Sequence, residues 1–251
     1  GFEGPIFATH ATKDIASVMV ADSGRIQESD AEFVNKKRAQ RGEEPIEPLY
    51  TEQDAEAVAG MFVGKSYEEA FEPIPGVEAR FYEAGHILGS AAVSLKIEEK
   101  GKKFHLWFSG DIGRYKLPLL RDPILPTDAD YMIMESTYGN RLHDSYANAG
   151  KHLRDVINAT ARRRGKVIIP AFAVGRTQEL VFALNQLDDE GDIPQLPIYI
   201  DSPLAVNATS VFRLHPETWN ATVRSFMDNN KKRSPFDDIN IDYIRDVRES
   251  K

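Results

Sequence analysis

Three polar side chains sit where apolar runs break at glycine. His86 lies in YEAGHILGS, Asp111 follows 25 residues later in FSGDIGR, and Glu135 lies in MESTYGN. An imidazole and a carboxylate at two sharp strand-end turns can share a metal. A carboxylate can also bridge two metals, as a two-metal hydrolytic centre requires. Glycines at 85 and 89, and at 110 and 113, allow the tight backbone path such turns need. The plainer alternative stays open: a histidine beside glycine is more often structural or exposed. Glu135 has two readings as well. It could orient an imidazole or take part in proton transfer, or it could cap a helix or pair with Arg141.

Two later segments place polar groups between a strand and a helix. PAFAVGRTQE offers backbone N–H groups to a phosphate, with Arg176 adding charge. It lacks the GxxxxGK[ST] pattern of a P-loop. YIDSPLAVNAT repeats the arrangement with Asp201 and Ser202, which could simply cap the helix, and Pro203 suits its first turn. No serine occupies a GxSxG elbow, which argues against a serine esterase. The other histidines carry less. His10 follows a strand and could line a cleft or make a strand-end hydrogen bond. His105 alternates away from Phe104, toward water or a covering helix. His143 falls in a polar turn, His152 on a charged helix, and His215 at a helix end where a cation is favourable.

The elements that must position these groups read as follows. PIFAT is a strand, and TKDIASVMVADS a helix with Ile15, Val18, Met19 and Asp22 at helical spacing. Residues 24–48 read as a partly helical surface excursion. A helix follows Thr51 as N-cap, with Ala55, Val58, Ala59 and Phe62 on its apolar face and Gly64 as its stop. VEARFYEA, AAVSLKIEE, KFHLWFSG and ADYMIMES read as strands, with EKGKK a hairpin turn. Beyond residue 140, DSYANAGKHLRDVINATARRRG reads as a helix and KVIIPAF as a buried strand. GRTQELVFALNQLDDEG is a helix, LPIYIDS a strand and LAVNATSVFRLHPE a helix. This alternation predicts a parallel sheet with crossover helices. The tail from 229 is charged and breaks the rhythm.

Composition narrows the chemistry. The chain has 251 residues and no cysteine, which excludes disulfides, thiolate zinc sites and a cysteine nucleophile. Apolar residues make up 41%, enough for a real core, and no run approaches bilayer length. The formal net charge of -8 opposes bulk attraction to nucleic acid but leaves room for a local basic groove. ARRRGK and NNKKR are candidates, although such runs are usually solvated faces. GFEGPIFATHATKD has no signal-peptide pattern and does not begin with Met, so the chain is expected to start inside a longer polypeptide. Without cysteine or an export signal, the cytoplasm is the default location, with no membrane association.

Together, FEGPIFATHAT, YEAGHILGSAA, FSGDIGR, MESTYGNR, PAFAVGRTQEL and YIDSPLAVNAT resemble, in this order, the β-CASP nucleases. These are metallo-β-lactamase-fold enzymes of RNA processing, and the resemblance covers nearly the whole chain. It implies an α/β fold. A partial metallo-β-lactamase αββα sandwich over 1–139 would precede the first part of an inserted α/β β-CASP domain over 140–251. His86 would be a zinc ligand and Asp111 the carboxylate bridging two zinc ions. Glu135 would support a later active-site histidine, and Arg176 and Ser202 would meet the substrate. The implied activity is zinc-dependent hydrolysis of RNA phosphodiester bonds, with RNA as partner and a homodimer left open. The family's HxHxDH segment and its later histidines do not occur here, and each zinc needs about four donors. The 251 residues are therefore expected to be an internal piece that is inactive alone and binds zinc weakly or not at all. Two other readings remain: a catalytically inactive RNA-binding or scaffold subunit, and a metallo-hydrolase acting on a small ester or thioester.

Overall fold

The computed structural model describes residues 2–142, 146–230, 234–237 and 240–244. It divides into two compact units, Gly1–Ser66 and Tyr67–Lys251. Among the described residues, no helix is long and apolar enough to cross a membrane.

In the first unit, β1 (Ile6–Thr9) pairs in parallel with β2 (Phe62–Lys65), and α1 (His10–Gln40) and α2 (Glu52–Ala59) lie between them in sequence. The Thr9 side chain caps α1 by accepting from Thr12 N. Helix α1 continues well into the predicted excursion, to Gln40, for 31 residues in all. The glycine that might have broken it, Gly24, is instead a contact point. A Cβ there would meet the Glu52 backbone at 2.7 Å, so its lack of a side chain lets α2 start against α1. Thr51 caps α2 as expected, in a reciprocal capping box with Asp54. The predicted stop at Gly64 is wrong. The helix ends at Gly60, and Gly64 belongs to β2 opposite Ala8, where a side chain would run into the His10 ring.

The second unit begins with a five-stranded sheet in the order β3 (Phe71–Ile74), β4 (Val77–Glu83), β5 (Ala91–Glu99), β6 (Lys102–Phe108), β7 (Tyr131–Ile133). The β5–β6 hairpin turns at Lys100 and Gly101, both with positive φ, as a tight two-residue hairpin demands. The antiparallel pairs β4–β5 and β5–β6, followed by the parallel pair β6–β7, have one consequence for the site. The C-terminal ends of β4, β6 and β7 all reach the same edge of the sheet.

His105 does alternate away from Phe104, but neither toward water nor under a helix. It is 8% exposed on a face with Ser94, Ala92 and Trp107, all buried. Ser94 Oγ lies 2.7 Å from His105 Nε2, and Asp130 accepts from the His105 N–H. The connection from β6 to β7 folds over this face, bringing Ile124, Leu125 and Pro126 against Ala92, Trp107 and Met132.

Helices dominate the rest: α3 (Tyr146–Arg162), α4 (Arg176–Asp189), α5 (Pro203–Leu214) and α6 (Ala221–Asn230), with β8 (Ile198–Asp201) parallel to β9 (Ile241–Ile244). Ile157, Leu187 and Ile193 join α3 to α4 in one apolar cluster. Phe182 packs edge-on to Phe226, and Phe236 packs edge-on to both Phe212 and Trp219. Backbone bonds from Arg121 to Thr218 and from Asn220 to Leu119 tie this core to the sheet's connecting loop. KVIIPAF is not the predicted buried strand. Residues 164–172 are irregular and exposed, with Ile168 at 87%. Residues 166–169 and β8 line a common cavity of about 530 Å³ rather than forming a ladder, so among the described residues the backbone has no sheet partner there. The only parallel pairings in the second unit, among the described residues, are β6–β7, β8–β9 and one isolated bridge, Tyr67 with Phe81. His143 and most of NNKKR lie outside the described residues.

Candidate metal centre

The edge where β4, β6 and β7 end carries three loops, and each presents one of the three singled-out residues. Sheet topology brings them near; backbone contacts fix them. Gly85 has φ +62°, and Gly113 approaches it so closely that a Cβ on Gly113 would fall 1.7 Å from Gly85 O. Gly113 N donates to Ala84 O at 2.8 Å. The two glycine turns therefore interlock, which gives a concrete reason for glycine in both.

Within the first loop, Ser90 Oγ accepts from His86 N at 3.0 Å and from Ile87 N at 3.2 Å, while Tyr67 Oη donates to Ser90 O. The His86 ring is thus carried on a backbone held from inside the loop. Its Nε2 lies 3.9 Å from Asp111 Oδ2, and both side chains open to solvent. The third loop joins through Glu135: its Oε1 accepts from Ile112 N at 2.8 Å, and its N–H donates to Ser109 Oγ at 3.1 Å. The Ile112 N–H first, then the Thr137 hydroxyl, hold the Glu135 carboxyl below its ordinary range, and His86 adds to this. Glu135 accordingly makes neither of the two plainer contacts expected of it, a helix cap or an ion pair with Arg141, among the described interactions.

A fourth element reaches the same corner. Gly175, N-cap of α4 with φ +82°, approaches Ile87, and Arg176 Nη1 donates to Glu179 Oε2 at 3.0 Å. Burial pushes the Glu179 carboxyl up, opposed by the charges of Arg176, Arg114 and His86. The PAFAVGRTQE turn therefore meets the His86 loop. Three successive backbone donors of the turn are already used: Gly175 N by Gln178 Oε1, Arg176 N by Val174 O and Thr177 N by Phe172 O. Arg176 remains the exposed charge of that turn, at 62%. Ser202 stands elsewhere. Its side chain accepts from Ala205 N as the cap of α5, and it lines the 530 Å³ cavity, which touches none of His86, Asp111 or Glu135.

Sequence reasoning missed the buried support of the site. Glu83 is 1% exposed at the end of β4, and its Oε1 accepts from Gly85 N at 3.0 Å. Its Oε2 faces Arg121 Nη2 at 3.5 Å but takes no hydrogen bond among the described residues. Burial pushes this carboxyl up, against the pull of the Gly85 N–H and Arg121. The signal was present: in VEARFYE, Glu83 falls in phase with Ala79 and Phe81, on the buried side.

The donor chemistry fits a metal in part. Zinc with one nitrogen and one oxygen donor in tetrahedral geometry separates the two by roughly 3.4 Å, close to the His86–Asp111 spacing. Among the described residues, no cluster of three or more His, Cys, Asp or Glu could hold a metal. The corner provides two donors and the scaffold that aims them.

Residues 177–251 match the Beta-Casp domain. The chain is 31% identical to Ribonuclease TTHA0252 of Thermus thermophilus over 84% of its length and 43% of that protein. It is 31% identical to Transcription termination factor FttA of Methanosarcina mazei, covering 94% of this chain and 35% of the relative. It is 29% identical to Endoribonuclease YSH1 of Eremothecium gossypii, covering 99% and 31% respectively. The chain thus spans less than half the length of each of these relatives.

Proposed function

Because the chain belongs to the β-CASP family of metallo-β-lactamase-fold proteins, we propose that it supplies part of the catalytic centre of a zinc-dependent ribonuclease. The observation carrying this reading is the convergence of His86 Nε2 and Asp111 Oδ2 at 3.9 Å, with Glu135 tied to the residue after Asp111. The relatives named as ribonuclease and endoribonuclease support RNA as the substrate class. Residues 1–139 would then belong to the metallo-β-lactamase part and 140–251 to the β-CASP part.

His86 and Asp111 would hold zinc. When bound, such ions supply Lewis acidity toward a phosphodiester and lower the pKa of a bound water. The chain's own residues do the positioning. Ser90 and Glu83 hold the backbone on either side of His86. Glu135 keeps its charge into mild acid and secures the Asp111 turn through Ile112 N. The Glu135 carboxyl, held by Ile112 N and Thr137, is suited to orienting an imidazole supplied from outside these residues. Arg176, held by Glu179, places a guanidinium near the His86 loop, where a phosphate would be met. Ser202 caps α5 and would act on substrate only at a distance from this corner.

The test is Asp111→Ala in the whole gene product, assayed on end-labelled single-stranded RNA. We expect cleavage to be lost while circular dichroism is unchanged; turnover like that of the parent would overturn the reading. The two-donor corner also favours a second reading, an RNA-binding subunit without activity. A parent protein that binds RNA, fails to cleave it, and gives no heat with zinc in calorimetry would select that alternative.

A further inference from the structure

We propose that the cavity beside Glu135 is a nucleotide subsite in which Tyr138 and Arg141 stack on a base of single-stranded RNA while Arg114 meets a phosphate. It rests on the RNA reading above and deepens it. The cavity measures about 550 Å³ and is bounded by Ile112, Arg114, Glu135, Tyr138 and Arg141. Ile112 is the residue after Asp111, and Glu135 bonds to its N–H, so the cavity continues directly from the candidate metal centre. Its size falls in the range of about 300–1,000 Å³ typical of small-molecule sites, enough for one nucleotide.

The lining carries the chemistry. Arg141 places its guanidinium carbon 4.4 Å from the Tyr138 ring centroid, a planar cation lying over an aromatic face. Tyr138 is nonetheless 47% exposed. Backbone bonds from Gly139 to Ser136 and from Arg141 to Tyr138 fold residues 136–141 into a turn that holds ring and guanidinium together. A rigid aromatic beside a guanidinium is a sequence-tolerant platform for an unstacked base. Two arginines face one carboxylate in the cavity, so its fixed charge favours a polyanion. A phosphodiester held at Asp111 would send its neighbouring nucleotide into this space.

The experiment measures anisotropy of fluorescein-labelled single-stranded RNA with this chain, in EDTA so that no cleavage is needed. The same measurement uses an abasic ribose-phosphate strand of equal length. We expect Tyr138→Ala to weaken RNA binding about 10-fold or more, in line with base–aromatic stacking, and to leave abasic binding unchanged. Tyr138→Phe should bind RNA like the parent. Arg114→Gln should weaken both strands and flatten the salt dependence. No effect of Tyr138→Ala, equal loss on both strands, or no binding of either strand by the parent would overturn the subsite. The two proposals fail separately. Loss of stacking in a protein that never cleaves RNA leaves the subsite standing, and cleavage by the whole gene product with Tyr138→Ala inert removes only the subsite.

Discussion

The corner formed by loops 84–90, 109–113 and 134–139 and the region from α3 to β8 are built in opposite ways. At the corner, every loop is fixed by short contacts to its neighbour: Gly113 N to Ala84 O, Ile112 N to Glu135, Glu135 N to Ser109. Between α3 and β8, the helices pack well through Ile157, Leu187 and Ile193, yet residues 164–172 between them lie open. A loop can be fixed by its own glycines and a few nearby donors. A strand exists only if another strand offers an edge. The corner is therefore complete in itself as a scaffold, while the second region has apolar sequence that its surroundings do not use.

The largest test of that contrast exchanges glycines. In Gly113→Ala, the new Cβ would stand 1.7 Å from Gly85 O, a backbone atom that cannot swing aside. Overpacking against backbone should cost at least about 3 kcal/mol. Gly150 in α3 has nothing within 4 Å, so Gly150→Ala should stabilise by about 0.5–1 kcal/mol. Both tryptophans, Trp107 and Trp219, lie in the second unit, so urea melts followed by their fluorescence report on it alone. Similar small effects at both sites would mean that the turns at Gly85 and Gly113 do not interlock in solution.

A middle-sized effect concerns Glu83. Glu83→Ala strips the acceptor from Gly85 N and leaves Arg121 without its carboxylate, which should cost about 1–3 kcal/mol. Glu83→Gln keeps an acceptor and should cost less. The pH dependence separates the charge from the hydrogen bond. Glu83 has its folded pKa raised, so it lowers stability as pH rises from the ordinary carboxylate value through the folded one. Glu135 has its folded pKa lowered, so its contribution is present above the ordinary value and lost as pH falls through the folded one. In melts taken between mild acid and neutrality, Glu83→Gln should remove a decline with rising pH. At lower pH, Glu135→Gln should remove a gain. Equal slopes in parent and variants would show that neither carboxylate is perturbed in solution.

The same contrast explains what the sequence disclosed. Caps are local, and Thr51 and Ser202 were legible because each side chain bonds a backbone N–H three residues on. The turns at His86 and Asp111 were legible through their glycines, although the pairing of Gly85 with Gly113 is a contact between distant segments. The length of α1 was not legible, because the sequence from Gly24 on turns polar, and the reason for a glycine there shows only once α2 is seen against it. Gly64 misled for the converse reason: glycine after an apolar run reads as a helix stop, but it sits in a strand under His10. His105 was placed on the correct side of its strand, yet its burial depends on the 123–130 connection folding over that side. For Glu83 the sequence carried only its phase with Ala79 and Phe81, since the bond to Gly85 N depends on how the loop turns back at the end of β4.

The smallest expected effect bears on the open region. Ile168 is 87% exposed, and its segment shares a cavity with β8 without pairing to it. Ile168→Ser should then change stability by no more than about 0.5 kcal/mol, as for other surface substitutions. If residues 166–171 instead form a strand on β8 in solution, the side chain at 168 would be packed and its loss should cost about 2 kcal/mol or more. Amide hydrogen exchange gives an independent reading, since ladder N–H groups are protected and irregular exposed ones are not. A neutral substitution together with fast exchange from 166 to 171 keeps the contrast: a self-sufficient corner beside a segment whose sheet partner is not in place. A costly substitution together with slow exchange would erase it. The second region would then follow the same rule as the first, with KVIIP as a buried strand.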